Sequence, residues 1–306
     1  MSPKYETRVV PFTDDAIAEA ARLILAGEPV AVATETVYGL AADATNAEAV
    51  ARIYEAKGRP SFNPLIVHVP DLAAAERIGT FNASARALAE RHWPGPLTLV
   101  VPLEDEATVA SLVTAGLPTI GLRVPAHPAM QALLDATGRP VAAPSANASG
   151  AISPTRAEHV LKSLGGRIPL IVDAGPTERG LESTIVAATG DGLRLLRRGP
   201  IAVEAAESQG DSIEAPGQLA SHYAPSKPLR LDAQRAEPDE YLIGFGGIDG
   251  DETLSASGDL VEAAARLFDL LHVADASRKR RIAVAPVPDG GLGATITDRL
   301  RRAAHR

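Results

Sequence analysis

Four regions of the sequence set polar side chains immediately beside apolar runs. In the first, Thr34-Glu35-Thr36-Val37-Tyr38-Gly39-Leu40, an apolar stretch ends in hydroxyls and a carboxylate before a glycine that permits a tight turn. Strand ends of this kind line small-ligand pockets in α/β folds, though threonines there also cap the segment that follows. The second is Lys57-Gly58-Arg59-Pro60, followed by Asn63-Pro64-Leu65 and His68. Cations at a helix C-terminus complement its dipole. Pro60, however, stiffens the chain just after Arg59, and a guanidinium on a stiff loop suits a phosphate. His68 lies inside an apolar run, where a lone histidine is more often a satisfied core residue than a functional one. The third is Pro144-Ser145-Ala146-Asn147-Ala148-Ser149-Gly150, with Ser153 beyond it. It gathers small hydroxyl and amide groups after the apolar Val141-Ala142-Ala143, and such loops expose backbone N–H groups to anions or nucleotides. A serine nucleophile is the sharper alternative, but a triad needs a base and the elbow glycines are absent. The fourth region comprises Thr119 to Arg123, Glu182-Ser183-Thr184 and Arg197-Arg198-Gly199-Pro200. Clusters so separated and so alike exceed what capping requires. Together they predict a polar pocket that gathers a polyanion with Lys57, Arg59, Arg123 and Arg197.

The rest of the sequence narrows the chemistry. There is no GxGxxG after a strand, no GxxxxGK[ST], no HExxH and no GxSxG. The sequence contains no cysteine, which excludes a disulfide framework, a thiolate zinc site and a cysteine nucleophile. No Asp/Glu pair or histidine cluster has metal-ligand spacing, so no protein-held metal is expected. Magnesium is expected only with the phosphates of a nucleotide, since it keeps waters and leans on phosphate oxygens. A net charge of −8 and 4% aromatic residues argue against nucleic acid as a stably bound ligand. The basic run Arg278-Lys279-Arg280-Arg281 reads more simply as a solvated helix end than as an RNA patch. The N-terminal residues lack a signal-peptide core, and no stretch approaches the roughly 20 apolar residues of a membrane span. The expectation is a cytoplasmic protein with no membrane partner.

The elements that must position these residues alternate in type. Asp14 to Ala26 reads as a helix capped by Thr13 or Asp14 and stopped by Gly27. Further helices are predicted over Ala47–Lys57 and Ser84–Arg91. Strands are predicted at Val30–Thr34, Leu65–Val69, Leu97–Val101, Ile120–Val124, Val141–Ala142, Leu170–Val172, Thr184–Ala187 and Leu193–Leu196. This order indicates an α/β domain, over residues 1–205. Residues 206–225 are polar and aperiodic, and read as a linker or a functional loop. Residues 226–306 read as a small second α/β unit, with strands at Tyr241–Phe245 and Ile282–Ala285 and helices at Asp259–Leu271 and Gly293–Ala304. Its size is marginal for independent folding.

In their order and spacing, the segments Thr34 to Leu40, Lys57-Gly58-Arg59-Pro60, Asn63 to His68, Trp93-Pro94-Gly95-Pro96-Leu97-Thr98 and Pro144-Ser145-Ala146-Asn147 closely resemble the YrdC family, the L-threonylcarbamoyl-AMP synthases. The likeness covers roughly residues 10 to 203. His222-Tyr223-Ala224-Pro225 and the unit after it resemble the extra C-terminal, Rossmann-like domain of the two-domain members. The resemblance implies a twisted mixed-sheet α/β domain with a large cationic cavity. It also implies synthesis of threonylcarbamoyl-AMP and pyrophosphate from L-threonine, bicarbonate and ATP, for the threonylcarbamoyl-adenosine of tRNA. By motif, Thr36, His68, Arg123, Ala143 and Ser183 fall where the family holds threonine. Arg59, Asn63, Thr119, Ser145, Ser153 and Arg197 fall where it holds ATP, while Lys57 and Asn147 belong to its paired basic and Ser-x-Asn motifs. His222 and Tyr223 fall on the loop that closes over the cavity.

On this reading Lys57, Arg59 and Arg197 neutralise the triphosphate, and Arg123 grips the threonine carboxylate, ideally in a bidentate pair. The displacement at phosphorus is mostly positioning and charge neutralisation, which needs no covalent nucleophile. Arg198 stands where the longer relatives often have proline, so the nucleotide contact could shift by one residue. Two other readings share the fold: a nucleotide or double-stranded RNA binding module, and a carbamoyl-transferring relative similar to the YrdC-like domain of hydrogenase-maturation proteins. The threonine-side residues favour the synthase.

Overall fold

The computed structural model describes residues 4–190, 192–207, 213–218 and 221–305. Ser208 to Ser212, Leu219 and Ala220 of the predicted linker lie outside the described residues. The chain begins with β1 (Arg8–Pro11), α1 (Asp14–Leu25), β2 (Val30–Ala33), β3 (Tyr38–Asp43), α2 (Ala47–Lys57) and β4 (Ile66–His68). It continues through α3 (Leu72–Glu76), α4 (Ala83–His92), β5 (Leu97–Pro102), α5 (Ser111–Thr114), β6 (Thr119–Arg123) and α6 (Pro128–Thr137). Then come β7 (Val141–Ala142), α7 (Ala157–Leu164), β8 (Leu170–Asp173), β9 (Thr184–Ala187), β10 (Arg194–Arg197) and β11 (Ala206–Glu207). A second set follows: β12 (Leu229–Arg230), β13 (Glu240–Gly244), β14 (Glu252–Thr253), α8 (Leu260–Ala276), β15 (Arg281–Val284) and α9 (Leu292–Ala304).

The first eleven strands form one mixed sheet, ordered β1-β8-β2-β3-β7-β4-β6-β5-β9-β10-β11. Its middle strands carry almost nothing but buried residues, as a sheet covered on both faces requires. On one face α1 and α6 pack Ile17, Ile24, Met130 and Leu133 against Val30, Val32 and Val172. On the other, α2, α4 and α7 pack Ile53, Ala85 and Val160 against Leu40, Val67 and Leu99. The helices begin where side chains satisfy their free N–H groups: Thr13, Asn46, Asp71 and Asn82 each accept from the first turn.

Strands β12 to β15 make a separate, wholly parallel sheet in the order β12-β15-β13-β14. Its core is not closed on itself. Phe268, Leu271 and Ile296 of α8 and α9 share one buried cluster with Val37, Ile152, Leu181 and Tyr223 from the other half of the chain. This shared cluster meets the concern about size, because the unit buries apolar area it could not bury alone. The basic run lies where α8 gives way to β15, with Arg278, Lys279 and Arg280 exposed and Arg281 paired to Glu237. Among the described residues no helix is long and apolar enough to cross a membrane.

Candidate active site

Three adjacent strands build the first wall. β4 and β6 run parallel with His68 opposite Arg123, and β7 runs antiparallel on the far side of β4 with Val141 opposite His68. Residues paired in register project from the same face of a sheet, so His68 and Arg123 emerge side by side. Ser183 just before β9 and Arg197 at the end of β10 supply a second wall. Loops complete the enclosure, with Thr36 in the β2–β3 turn and Ala143 and Ser145 after β7. Gly58 caps α2 in the left-handed region, φ 61°, which reverses the chain and delivers Arg59 to the same space. Pro216, His222 and Tyr223 cover it from the segment between the two sheets. The cavity that remains is about 50 Å³, room for a few waters and too small for a nucleotide.

Of the residues predicted from sequence, Thr36, Arg59, His68, Arg123, Ala143, Ser145, Ser183, Arg197, His222 and Tyr223 line this one cavity. The other five do not reach its surface. Lys57 lies directly behind, its Nζ donating to the carbonyls of Ser145 at 2.5 Å and Asn147 at 2.6 Å. The Asn147 amide donates to the carbonyls of Ala148 and Ala151, bracing the same loop. Ser153 donates to Glu182 at 2.5 Å. Asn63 is buried beside Arg59 with its Oδ1 unpartnered. Thr119 lines a neighbouring crevice with Pro64, Thr98 and Pro216.

The electrostatics separate two kinds of cation. Lys57, Arg59 and Arg197 are all buried, and among the described residues each donates only to carbonyls or a hydroxyl, with no carboxylate in contact. Burial lowers the affinity of each for its proton, to about 10 for Arg59 and well below the usual lysine range for Lys57. Concentrated positive charge without a counter-ion is costly unless an anion joins it. Arg123 differs. Its Nη2 donates to Glu35 Oε1 at 2.5 Å, its Nη1 to Thr36 Oγ1 at 3.0 Å and its Nε to Gly95 O at 3.2 Å. The open guanidinium fork expected from sequence is therefore half committed. A ligand carboxylate meets only the remaining N–H groups of Nη1 and Nη2.

Neutral polar groups stand among these charges. Burial, followed by the charge of Arg123, drives His68 down to about 3, and its Nδ1 has no partner. Burial does the same to His222, also at about 3 with Nδ1 unpartnered, and the Tyr223 hydroxyl is unpartnered as well. Unfilled buried donors and acceptors aimed around one cavity mark a site that completes its bonding with a ligand. Ser183 Oγ is fixed by Thr98 Oγ1 at 2.8 Å and Arg197 Nη2 at 3.0 Å. Glu182, in the cavity wall, and Glu35 lie within the polar clusters, but the sequence alone points to no task for either. Arg299 was missed outright, although Ile296, Leu300 and Ala303 put it on the buried face of its helix.

Two family models together match residues 22–305. One, described as telomere recombination, matches residues 22–199, and the other, described as the C-terminal domain of threonylcarbamoyl-AMP synthase, matches residues 181–305. The threonylcarbamoyl-AMP synthase of Bacillus subtilis (strain 168) is 41% identical over 324 residues, covering 95% of this chain and 93% of that protein. The chain belongs to the threonylcarbamoyl-AMP synthase family. Another member of that family, from Pyrococcus abyssi, is 38% identical over 93% of both chains. The crystal structure of P. abyssi Sua5 complexed with L-threonine matches with a TM-score of 0.89, at 35% identity and over 97% of both chains. Escherichia coli YciO, at 22% identity and a TM-score of 0.56 over 67% of this chain, is alike in fold.

Proposed function

We propose that this chain is a nucleotidyltransferase that makes L-threonylcarbamoyl-AMP from L-threonine, bicarbonate or CO₂, and ATP, and releases pyrophosphate. The observation that carries the reading is the buried trio Lys57, Arg59 and Arg197, the two arginines in the cavity wall and Lys57 directly behind it, with no carboxylate in contact among the described residues. A triphosphate supplies the missing negative charge. Threonine sits beside it, its carboxylate on the free N–H groups of Arg123 and its hydroxyl within reach of Thr36 and Ser183. A site built to bond that hydroxyl rejects the analogue lacking it.

The reaction then proceeds by an addition and a displacement. The threonine nitrogen attacks the carbon of CO₂, an N–C bond forms as one C=O π bond opens onto oxygen, and the nitrogen gives its proton to solvent. From bicarbonate, the hydroxide lost in releasing CO₂ takes that proton as water. A carboxylate oxygen of the product attacks the α-phosphorus in line, the bond from that phosphorus to the bridging oxygen breaks, and pyrophosphate leaves with the electron pair. The chain supplies charge and alignment and no covalent nucleophile. A neutral His68 can hydrogen-bond the amine without adding charge near Arg123.

Magnesium fits this site only as a passenger on the triphosphate. Glu182 is engaged by Ser153 and Arg299, and Glu35 by Arg123 and the Ala126 amide. Among the described residues no three His, Asp or Glu side chains cluster as metal ligands. Downstream, the adenylate passes to the machinery that transfers threonylcarbamoyl to tRNA.

The test is pyrophosphate release from ATP and magnesium with threonine and bicarbonate omitted in turn. Release that requires both is expected. Release with neither, or ATP binding without release under any condition, would return the site to a nucleotide-binding or carbamoyl-transferring role.

A further inference from the structure

Arg299 of α9 is 0% exposed, and its guanidinium reaches the back of the active-site wall. Its Nε donates to Glu182 Oε2 at 2.9 Å and its Nη2 to the Arg198 carbonyl at 2.7 Å. Its Nη1 bonds Asp298 at 2.7 Å, and its central carbon lies 5.1 Å from the centre of the Tyr223 ring. The other Glu182 oxygen accepts from Ser153 at 2.5 Å, so both oxygens of this buried carboxylate are held. The next residue, Ser183, is the anchor of Arg197, which bonds both its carbonyl and its hydroxyl.

Glu182 is thus a negative charge in a wall whose proposed task is to hold a polyanion, one residue from the point where Arg197 is fixed. A buried carboxylate must find a cation. Were Arg299 absent, the nearby candidate is Arg197, and an Arg197–Glu182 pair would cancel the charge meant for the nucleotide. We propose that Arg299 is a positioning residue of the active site, lent by the C-terminal unit. It holds Glu182 away from Arg197, so that Arg197 stays open to the triphosphate, and it seats Tyr223 over the cavity by the cation–π contact. The inference rests on the synthase reading for the identity of the anion.

The full chain carrying R299Q is compared with E182Q/R299Q and with wild type, and ATP affinity is titrated directly, without turnover. R299Q is expected to weaken ATP binding about tenfold or more, and the double variant to regain most of that loss, as coupled neighbours do. A merely structural arginine would shift the melting temperature in this pattern but leave the ATP affinity of the folded variants at the wild-type value. Wild-type ATP affinity in R299Q would overturn the inference, as would a double variant as weak as R299Q. If R299Q does not fold, the double variant alone decides, and its own failure to fold would assign the pair to the fold instead of the site. A wild-type chain that binds no ATP would overturn the synthase reading itself. Wild-type ATP binding without that pattern of loss in R299Q and recovery in the double variant would overturn only the role of Arg299.

Discussion

Arg59 and Arg123 sit in one cavity and differ in their partners: among the described residues one donates only to carbonyls and the other meets a carboxylate. Arg59→Ala removes a cation with no local counter-charge, so its loss falls on the ligand. ATP affinity should drop by about tenfold to a hundredfold, the worth of a charge-assisted contact, with the melting temperature little changed. Nucleotide titration and a thermal melt check both halves. Arg123→Lys keeps a positive charge but cannot bond Gly95, Thr36 and Glu35 together as the planar guanidinium does. The threonine KM should rise about tenfold or more, with ATP affinity near wild type. An equal loss for both substrates would show that Arg123 supports the whole cavity. Why the sequence revealed such residues is physical: hydroxyls and guanidinia at the ends of apolar strands are unusual enough to be noticed singly. What it hid was pairing. Nothing in Thr34-Glu35-Thr36 says that Glu35 meets a guanidinium 88 residues later, and nothing in a helix so far along the chain says that Arg299 closes on Glu182.

At the scale of elements, the covering segment is held to the site by contact too close for a side chain at one position. Gly217 has φ 88°, and a Cβ there would lie 2.9 Å from both Arg197 Cδ and the Tyr223 hydroxyl. Pro216 accepts from Arg197 Nη1, and Ala224 bonds back to Gly150 at 2.8 Å, so the segment is pinned on both sides of the cavity. Gly217→Ala adds a left-handed penalty of about 1–2 kcal/mol to that collision, and if the segment serves as a lid both act against its closed position. Turnover should therefore fall by about tenfold or more, while ATP still binds. Single-turnover kinetics beside nucleotide titration separate the two, and wild-type turnover would show that closure is not needed. The same scale explains which elements could be read in advance. Ala47–Lys57 and Thr184–Ala187 were legible because apolar period, cap and turn residues agree over their length. Tyr38–Asp43 escaped as a strand because its polar neighbours drew attention as a motif, and because a fully buried strand has no alternation to betray it. Pro128–Thr137 and Ala157–Leu164 escaped as helices; each is short, and one starts without a side-chain cap. Sheet order follows from long-range pairing, such as β1 with β8, which no local window contains.

Across the whole molecule, the two sheets are joined by buried groups that must stay neutral. His272 of α8 bonds the Ser153 carbonyl at 3.1 Å and stacks on His159 of α7, their ring centres 3.8 Å apart. Arg156 grips Asp269 across the same junction. Burial is the first cause that holds His68, His159 and His222 down to about 3 and His272 to about 4. In the unfolded chain each would take up a proton near pH 6.5. Between those values these rings bind more protons in the unfolded chain than in the folded one, so their contribution to stability is full above about pH 6.5 and declines as pH falls toward 3. Each fully buried imidazole contributes a slope of about 1.4 kcal/mol per pH unit, so His68 and His222 alone withdraw about 4 kcal/mol by pH 5. That is a large part of the roughly 5–15 kcal/mol that holds a domain together. The urea midpoint should therefore drop steeply from pH 7 to pH 5, before most carboxylates begin to titrate. His222→Gln should flatten that slope by about one proton, since its imidazole no longer charges on unfolding. A midpoint constant from pH 7 to pH 5 would mean that water or an anion reaches these rings in the folded chain, and the junction would then be looser than its packing implies.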